Sequence, residues 1–226
     1  MVKQYRLIEV GEFLVAGYDL ASGVKDYCAI QFVSKTKIDV PLVIHSDKTA
    51  SEITNVVVAV LENIYKHTGV KPLIAPETNA GGAYEIDRMM AMNRLNAYKL
   101  YEQPSNIGMV TESEPKRYGW TTSTSTRPKM LSDLKQAIDN RVIKIYDKNT
   151  INEMYSFVVV KGTSIWKAQA ENNSHDDLLM ALAIAWQLYQ SAEISSDEEF
   201  KNQKLYGKDY EFLNKPEEAK VWRIGK

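Results

Sequence analysis

The sequence predicts an α/β domain built on a mixed sheet, and two observations carry that expectation. Three short runs rich in aromatic and β-branched residues come first, separated by turn signals. After them, segments of helical period alternate with short apolar strands. At 226 residues, 44% hydrophobic and 25% charged, the chain is an ordinary globular one, long enough for one substantial core or two small ones.

The first two runs, "FLVAGYD" (13–19) and "YCAIQFVS" (27–34), flank "LASGVKD" and predict a β-hairpin. "VPLVIHS" (40–46) predicts a third strand, with Pro41 suited to an edge position. Thr49 and Glu52 match a capping box, behind which Ile53, Val56, Val57, Val60, Leu61 and Ile64 keep helical spacing up to Gly69. "KPLIAPE" (71–77) is a short buried strand, and a Gly-led helix follows over roughly 81–95. Residues 102–126 are loop-rich. "RPKMLSDLKQAIDN" is a helix with Pro128 in its first turn, where a missing N–H costs nothing. "VIKIY" (142–146) predicts another strand, Thr150 with Glu153 a second capping box, and "FVVVKGTSIWKAQA" a hairpin turning at Gly162. A long apolar helix over roughly 176–190 closes the core. We expect one domain over 1–190 and a polar linker or tail over 191–226, part of which, with Tyr210, Phe212 and Trp222, can dock.

Several function classes drop out early. The lone Cys28 lies in an apolar run, where packing is its expected role; it excludes a disulfide framework and points to a reducing, intracellular setting. No apolar run approaches the ~18 residues of a membrane span. With 28 basic against 29 acidic residues the chain lacks the bulk charge of a nucleic-acid binder, so any such role rests on local clusters. No G-x-x-x-x-G-K-[ST] stretch occurs, which removes a P-loop, and neither a cofactor fingerprint nor an activated nucleophile is evident.

Acids stand at three expected element ends. Asp19 ends the first strand, Glu77 ends "LIAPE", and Asp176 and Asp177 open the apolar helix. In open α/β sheets the carboxyl ends of strands and the starts of helices share one rim, so acids from three distant segments can converge there. Clustered carboxylates repel unless a cation neutralises them, and hard oxygen donors select Mg²⁺ or Mn²⁺. Each acid also has a plainer reading. Ser174 and Asp177 fit a capping box, Asp19 suits an Asx-turn, and Glu77 suits a solvated loop. Asp26 either binds a metal or points outward from the second strand in a supporting or surface role, and His175 is either a ligand or a partner for a nearby backbone group. "GWTTSTSTRPK" (119–129) is either an anion site, with free amides beside Arg127 and Lys129, or a polar loop carrying an N-cap. Lys116 and Arg117 would extend its basic rim. An acidic pocket bordered by basic loops is what phosphodiester cleavage demands.

Four stretches, "YDLASGVKD", "PETNAGG", "YGWTTSTSTRPKMLSDLKQAI" and "SHDDLLMALAIA", occur in the order found in the C-terminal nuclease domain of the large terminase subunit of tailed bacteriophages. The resemblance spans roughly residues 12 to 190. It implies a ribonuclease H-like fold, with the first three strands of a mixed sheet antiparallel and helices on both faces. It also implies an acidic triad that holds two divalent metals and cuts double-stranded DNA during genome packaging. Carried over by motif, Asp19 bridges both metals, Glu77 is the second ligand, and Asp177 is the third with Asp176 as companion. The implied partners are the terminase ATPase domain, the small terminase subunit and the portal, in the cytoplasm of an infected bacterial host. The missing P-loop marks this chain as the nuclease half alone.

Chemically, two metals about 3.5–4 Å apart clamp a scissile phosphate for in-line displacement. Arg127, Lys129, Lys116 and Arg117 are the candidates for gripping DNA. Two rival readings stand beside this one: another nuclease of the same fold, such as a Holliday-junction resolvase, and a non-catalytic DNA-binding or assembly domain.

Overall fold

The computed structural model describes residues 1–21, 27–79, 81–104, 116–161, 166–170 and 175–192. They all fall within one compact unit, Met1–Glu193. The expected tail lies, from residue 193 on, outside the described residues, as do Asp26 and the hairpin turn at Gly162.

The three aromatic and β-branched runs form β2 (Leu14–Asp19), β3 (Cys28–Ser34) and β4 (Asp39–Ser46), paired antiparallel in sequence order. A short β1 (Val2–Gln4) adds antiparallel to the outside of β4. On the other side β5 (Leu73–Pro76) runs parallel to β2, and β6 (Lys99–Leu100) parallel to β5. The resulting mixed sheet has the order β1-β4-β3-β2-β5-β6. Pro41 therefore does not mark an edge, as β1 covers β4. It sits instead where the β3–β4 register shifts between Phe32 and Ser34, a place where a missing N–H is tolerated.

Helices cover both faces. Helix α1 (Ala50–Thr68) starts at the expected capping box: Glu52 N donates to Thr49 Oγ1 at 3.4 Å and Thr49 N to Glu52 Oε2 at 3.3 Å. With α2 (Gly82–Met92) it packs over Leu14, Ala16, Tyr18, Ile30, Phe32 and Ile74. The opposite face, with Val15, Ala29, Val33, Val43 and Ala75, receives α3 (Thr126–Asp139) and α5 (Asp177–Ser191). Period-two side-chain direction explains this split, because β2 to β5 are buried on both sides. The run from Asp177 to Trp186 is buried throughout. No helix among the described residues is long and apolar enough to cross a membrane.

Three local expectations need correction. "VIKIY" is not a strand; Lys144 alone makes a parallel bridge, to Asp39. Thr150 does not start a helix, since α4 (Lys148–Ser156) begins earlier and Asp147 caps it, accepting from the Thr150 amide and hydroxyl at 2.9 Å each. An ionised carboxylate outcompetes a hydroxyl for those donors. Asp177 is not the third residue of a capping box: Asp176 is the N-cap of α5 and Asp177 its first residue. The strands β7 (Phe157–Lys161) and β8 (Trp166–Ala170) do pair as an antiparallel two-stranded sheet.

Candidate active site

Pleating decides which acids can meet. Val15 and Ala75 face α5, and two residues further along a strand the side chains return to the same face. Asp19, and Glu77 just beyond β5, therefore turn toward α5. Gly17 pairs with Ala75, and Glu77 N donates to Tyr18 O at 2.8 Å, so Asp19 and Glu77 stand side by side.

The third segment comes from α5, whose backbone presses directly on β2. A β-carbon on Gly17 would fall 2.1 Å from Ala181 O and 2.6 Å from Ala185 N, so only glycine admits the helix this closely. From that contact, Asp19 lies about 7 Å along the strand. Asp177 lies about 6 Å back along the helix from Ala181. Both reach the same rim. Gly82 allows a second close approach, of α2 to Glu77, since a β-carbon there would meet Glu77 O at 1.7 Å.

The electrostatics record the convergence. Burial, then the neighbouring Glu77 charge and a hydrogen bond between the two carboxyls, push Asp19 well above the usual carboxylate range; Asp177 and Asp176 add to the shift. Asn79 Nδ2 steadies Glu77, donating to its Oε1 at 3.0 Å and to Thr122 O at 2.9 Å. Asp177 is buried, with His175 Nδ1 3.5 Å from its Oδ2. His175 is exposed and meets the Tyr27 ring edge-on. Cys28 is buried, as its apolar run implied.

Asp176 is held by Arg127, whose Nη2 lies 2.6 Å from Asp176 Oδ2. Arg127 thus stands beside the acids as a paired cation. Lys129 is exposed and pairs with Asp133 at 2.6 Å, and Lys116 is exposed and pairs with Glu102 at 2.8 Å. The segment carrying Lys116 and Arg117 joins the rim through bridges between Glu102 and Tyr118 and between Glu77 and Trp120. Its two basic residues line a shallow groove with Thr78, Gln103, Tyr118 and Thr121. Within "TTSTST", Ser123 Oγ lies 2.9 Å from Ser125 Oγ and 3.0 Å from Thr126 Oγ1, while Thr121 Oγ1 lies 2.9 Å from Thr78 Oγ1.

Among the described residues, no three His, Cys, Asp or Glu side chains already stand in a metal-coordinating arrangement. The acids make the Asp19–Glu77 hydrogen bond and the Asp176–Arg127 pair instead. Their donor chemistry nonetheless fits a hard divalent cation. Gathered carboxylates require either a proton or a cation among their oxygens, and a buried acid that keeps its proton is one whose charge lacks compensation.

A residue that the sequence reading passed over completes the rim. Glu153, on α4, reaches across to α5, where its Oε2 accepts from Leu179 N at 3.0 Å. Burial pushes its carboxyl up to about 7; the Leu178 and Leu179 amides hold it down, and Asp176 and Asp147 raise it further. Spacing from Thr150 suggested only a local cap, and no sequence signal pointed to α5.

The fold and rim together define a class: a ribonuclease H-like sheet with acids gathered at its carboxyl edge. Solved structures that share this fold include nuclease domains of large terminases. The Thermus phage P74-26 large terminase nuclease domain superimposes with a TM-score of 0.57 at 18% identity, over 84% of this chain and 85% of that one. The large terminase nuclease from thermophilic phage G20c with bound magnesium gives 0.59 at 18%, over 84% and 86%. The human cytomegalovirus terminase nuclease domain gives 0.54 at 14%, over 83% and 87%. No protein-family model and no curated protein sequence matches the chain, so the likeness is one of fold.

Proposed function

We propose that this chain is a divalent-metal-dependent endonuclease that cuts double-stranded DNA during viral genome packaging. One observation carries the reading: Asp19, Glu77 and Asp177, from three separate segments, gather on one rim of a fold otherwise seen in large terminase nucleases. The G20c nuclease has been solved with magnesium, cobalt and zinc bound, which supports a divalent cation here, with Mg²⁺ or Mn²⁺ matching the all-oxygen donors.

Asp19, Glu77 and Asp177 would hold the two ions, with Asp176 as a neighbouring acid. When bound, the ions would polarise the scissile phosphate and supply the attacking water. The chain's own residues orient and screen. Asn79 fixes the Glu77 carboxylate, and α5, pressed on Gly17, sets Asp177 opposite Asp19. Arg127 balances Asp176 and lies where a phosphate would enter, with Lys129, Lys116 and Arg117 as the outer cations. Contacts of this kind go to phosphates, so cleavage should be indifferent to sequence and fall steeply with salt. The partners we propose are the terminase ATPase domain, small subunit and portal, in the cytoplasm of an infected bacterium.

Nicking of supercoiled plasmid with Mg²⁺, Mn²⁺ or EDTA tests the reading. Cleavage in either metal, none in EDTA, and loss in Asp19→Asn and Asp177→Asn with unchanged circular dichroism are expected. Duplex binding indifferent to chelator, without nicked product, would overturn it in favour of a non-catalytic domain. Preferential cutting of four-way junctions over linear duplex would replace it with a resolvase.

A further inference from the structure

An acid at the start of a helix usually spends its carboxylate on the helix's own free amides. In α5 the N-cap acid does not. Asp176 makes no side-chain cap bond and is held by Arg127, and the charge of Asp177 acts on Asp19. The amides of Leu178 and Leu179 are met from outside the helix, by the Glu153 carboxylate of α4. The same turn is held at its carbonyl. Gln31 Nε2 of β3, fully buried, donates to Leu178 O at 3.3 Å and to Thr150 Oγ1 at 2.7 Å. Thr150 is in turn fixed by Asp147. A buried chain of polar groups thus runs beneath the first turn of α5, in an interface that is otherwise apolar.

We propose that Glu153 is a positioning residue: an external cap, supplied by α4, that fixes the first turn of α5 and so holds Asp176 and Asp177 in place for the metal centre without drawing Asp176 into the cap. The inference rests on the nuclease reading for what those acids do, but not for the cap itself. Glu153 is repelled by Asp176 and Asp147, so its place there is electrostatically unfavourable. A hydroxyl or amide side chain at the N-cap itself would have closed the helix at less cost. An outside acceptor is the arrangement that caps α5 without consuming Asp176.

The test uses the full chain with Glu153→Ala and Glu153→Gln. The glutamine keeps an acceptor oxygen at the same reach, and so separates capping from charge. Amide exchange at Leu178 and Leu179, followed by NMR without divalent ions, should accelerate ~100-fold in Glu153→Ala and stay near wild type in Glu153→Gln. Calorimetric titration with Mn²⁺ alone should show affinity weakened ~10-fold by alanine and restored by glutamine, the scale expected of a group that orients a ligand. If Glu153→Ala does not fold, Glu153→Asp keeps the charge, withdraws the acceptor by one methylene and should show the faster exchange and weaker Mn²⁺ binding stated for alanine. Unchanged exchange at both amides would overturn the proposal. So would lost protection with wild-type Mn²⁺ affinity, since the cap would then be structural only. A wild-type protein that neither binds Mn²⁺ nor nicks DNA defeats the nuclease reading, while the exchange data still decide the cap.

Discussion

Replacing Gly17 with alanine is the smallest change that presses on the site from beneath. The new β-carbon would lie 2.1 Å from Ala181 O, where ordinary contact begins at 3.4 Å, so α5 or β2 must give way by about 1.3 Å. Both close atoms, Ala181 O and Ala185 N, are backbone, which removes escape by rotamer change. Overpacking of a well-filled core costs about 1–3 kcal/mol, and this case belongs at the upper end. The lower chain entropy of alanine returns up to about 1 kcal/mol, leaving roughly 2. With a urea dependence of about 2 kcal/mol per molar, the unfolding midpoint should fall by about 1 M. The same shift displaces Asp177 from Asp19, and a 1 Å misplacement can cost ~100-fold in rate, so nicking should fall further than stability does. Urea denaturation followed by circular dichroism, with the plasmid assay in parallel, measures both. A midpoint within 0.2–0.3 M of wild type would refute the reasoning, because α5 could not then lie against Gly17.

Three other outcomes are expected. Glu153 titrates near 7 in the folded protein against an ordinary 4.5, so the folded state binds the proton more tightly than the unfolded chain. Its share of stability is therefore greatest below pH 4.5, falls as pH rises from there to 7, and is flat above. The 1.36 kcal/mol per pKa unit sets a ceiling of about 3 kcal/mol, and solvent screening of a half-buried group brings it to about 1–2. Glu153→Gln should flatten the trend in urea midpoints between pH 5 and pH 8; an unchanged slope would refute the assignment. Asp19→Asn should raise thermal stability in EDTA at pH 8, because it removes a buried, repelled carboxyl, and should lose the stabilisation that wild type gains from Mn²⁺. Arg6 forks between Glu12 at 2.5 Å and Asp39 at 2.6 Å, so Arg6→Ala should cost about 3–5 kcal/mol by stranding two buried carboxylates, read as a collapse in the urea midpoint.

The sheet was legible in the sequence because its strands are short, apolar and punctuated, and because acids mark where they end. Asp19 and Glu77 could be placed on one rim from strand boundaries alone; that they share a face follows from a register no single segment displays. Asp177 was legible as the start of a wholly apolar helix, though the local spacing from Ser174 also suggested a cap. "VIKIY" misled because its apolar residues satisfy strand propensity, whereas a ladder needs a partner edge. The shifted register at Pro41 offers Lys144 one bridge only. Strands β1 and β6, of three and two residues, are too short to carry a period. Glu153 was out of reach for another reason. Its partners are amides of a helix remote in sequence, and which acceptor reaches them depends on how α4 packs against α5.

The same packing explains how two acids can stand directly before so apolar a helix. A helix buried on every side cannot leave its end groups to water, so other elements must meet them. At the start of α5 those elements are α4, through Glu153, and β3, through Gln31. At its end Lys35, just past β3, donates to Tyr189 O at 2.5 Å and to Ala192 O at 2.7 Å. The helix is thus clasped at both ends by side chains from the elements it packs on or beside, and pinned between by contact with Gly17. Repulsion among Asp19, Glu77 and Asp177 favours spreading the rim apart, yet the groups resisting that spread are not the acids themselves. An apolar helix is suited to the task because it has no solvated face along which to slide. The charge it carries sits only at the one end that the clasp holds toward the sheet.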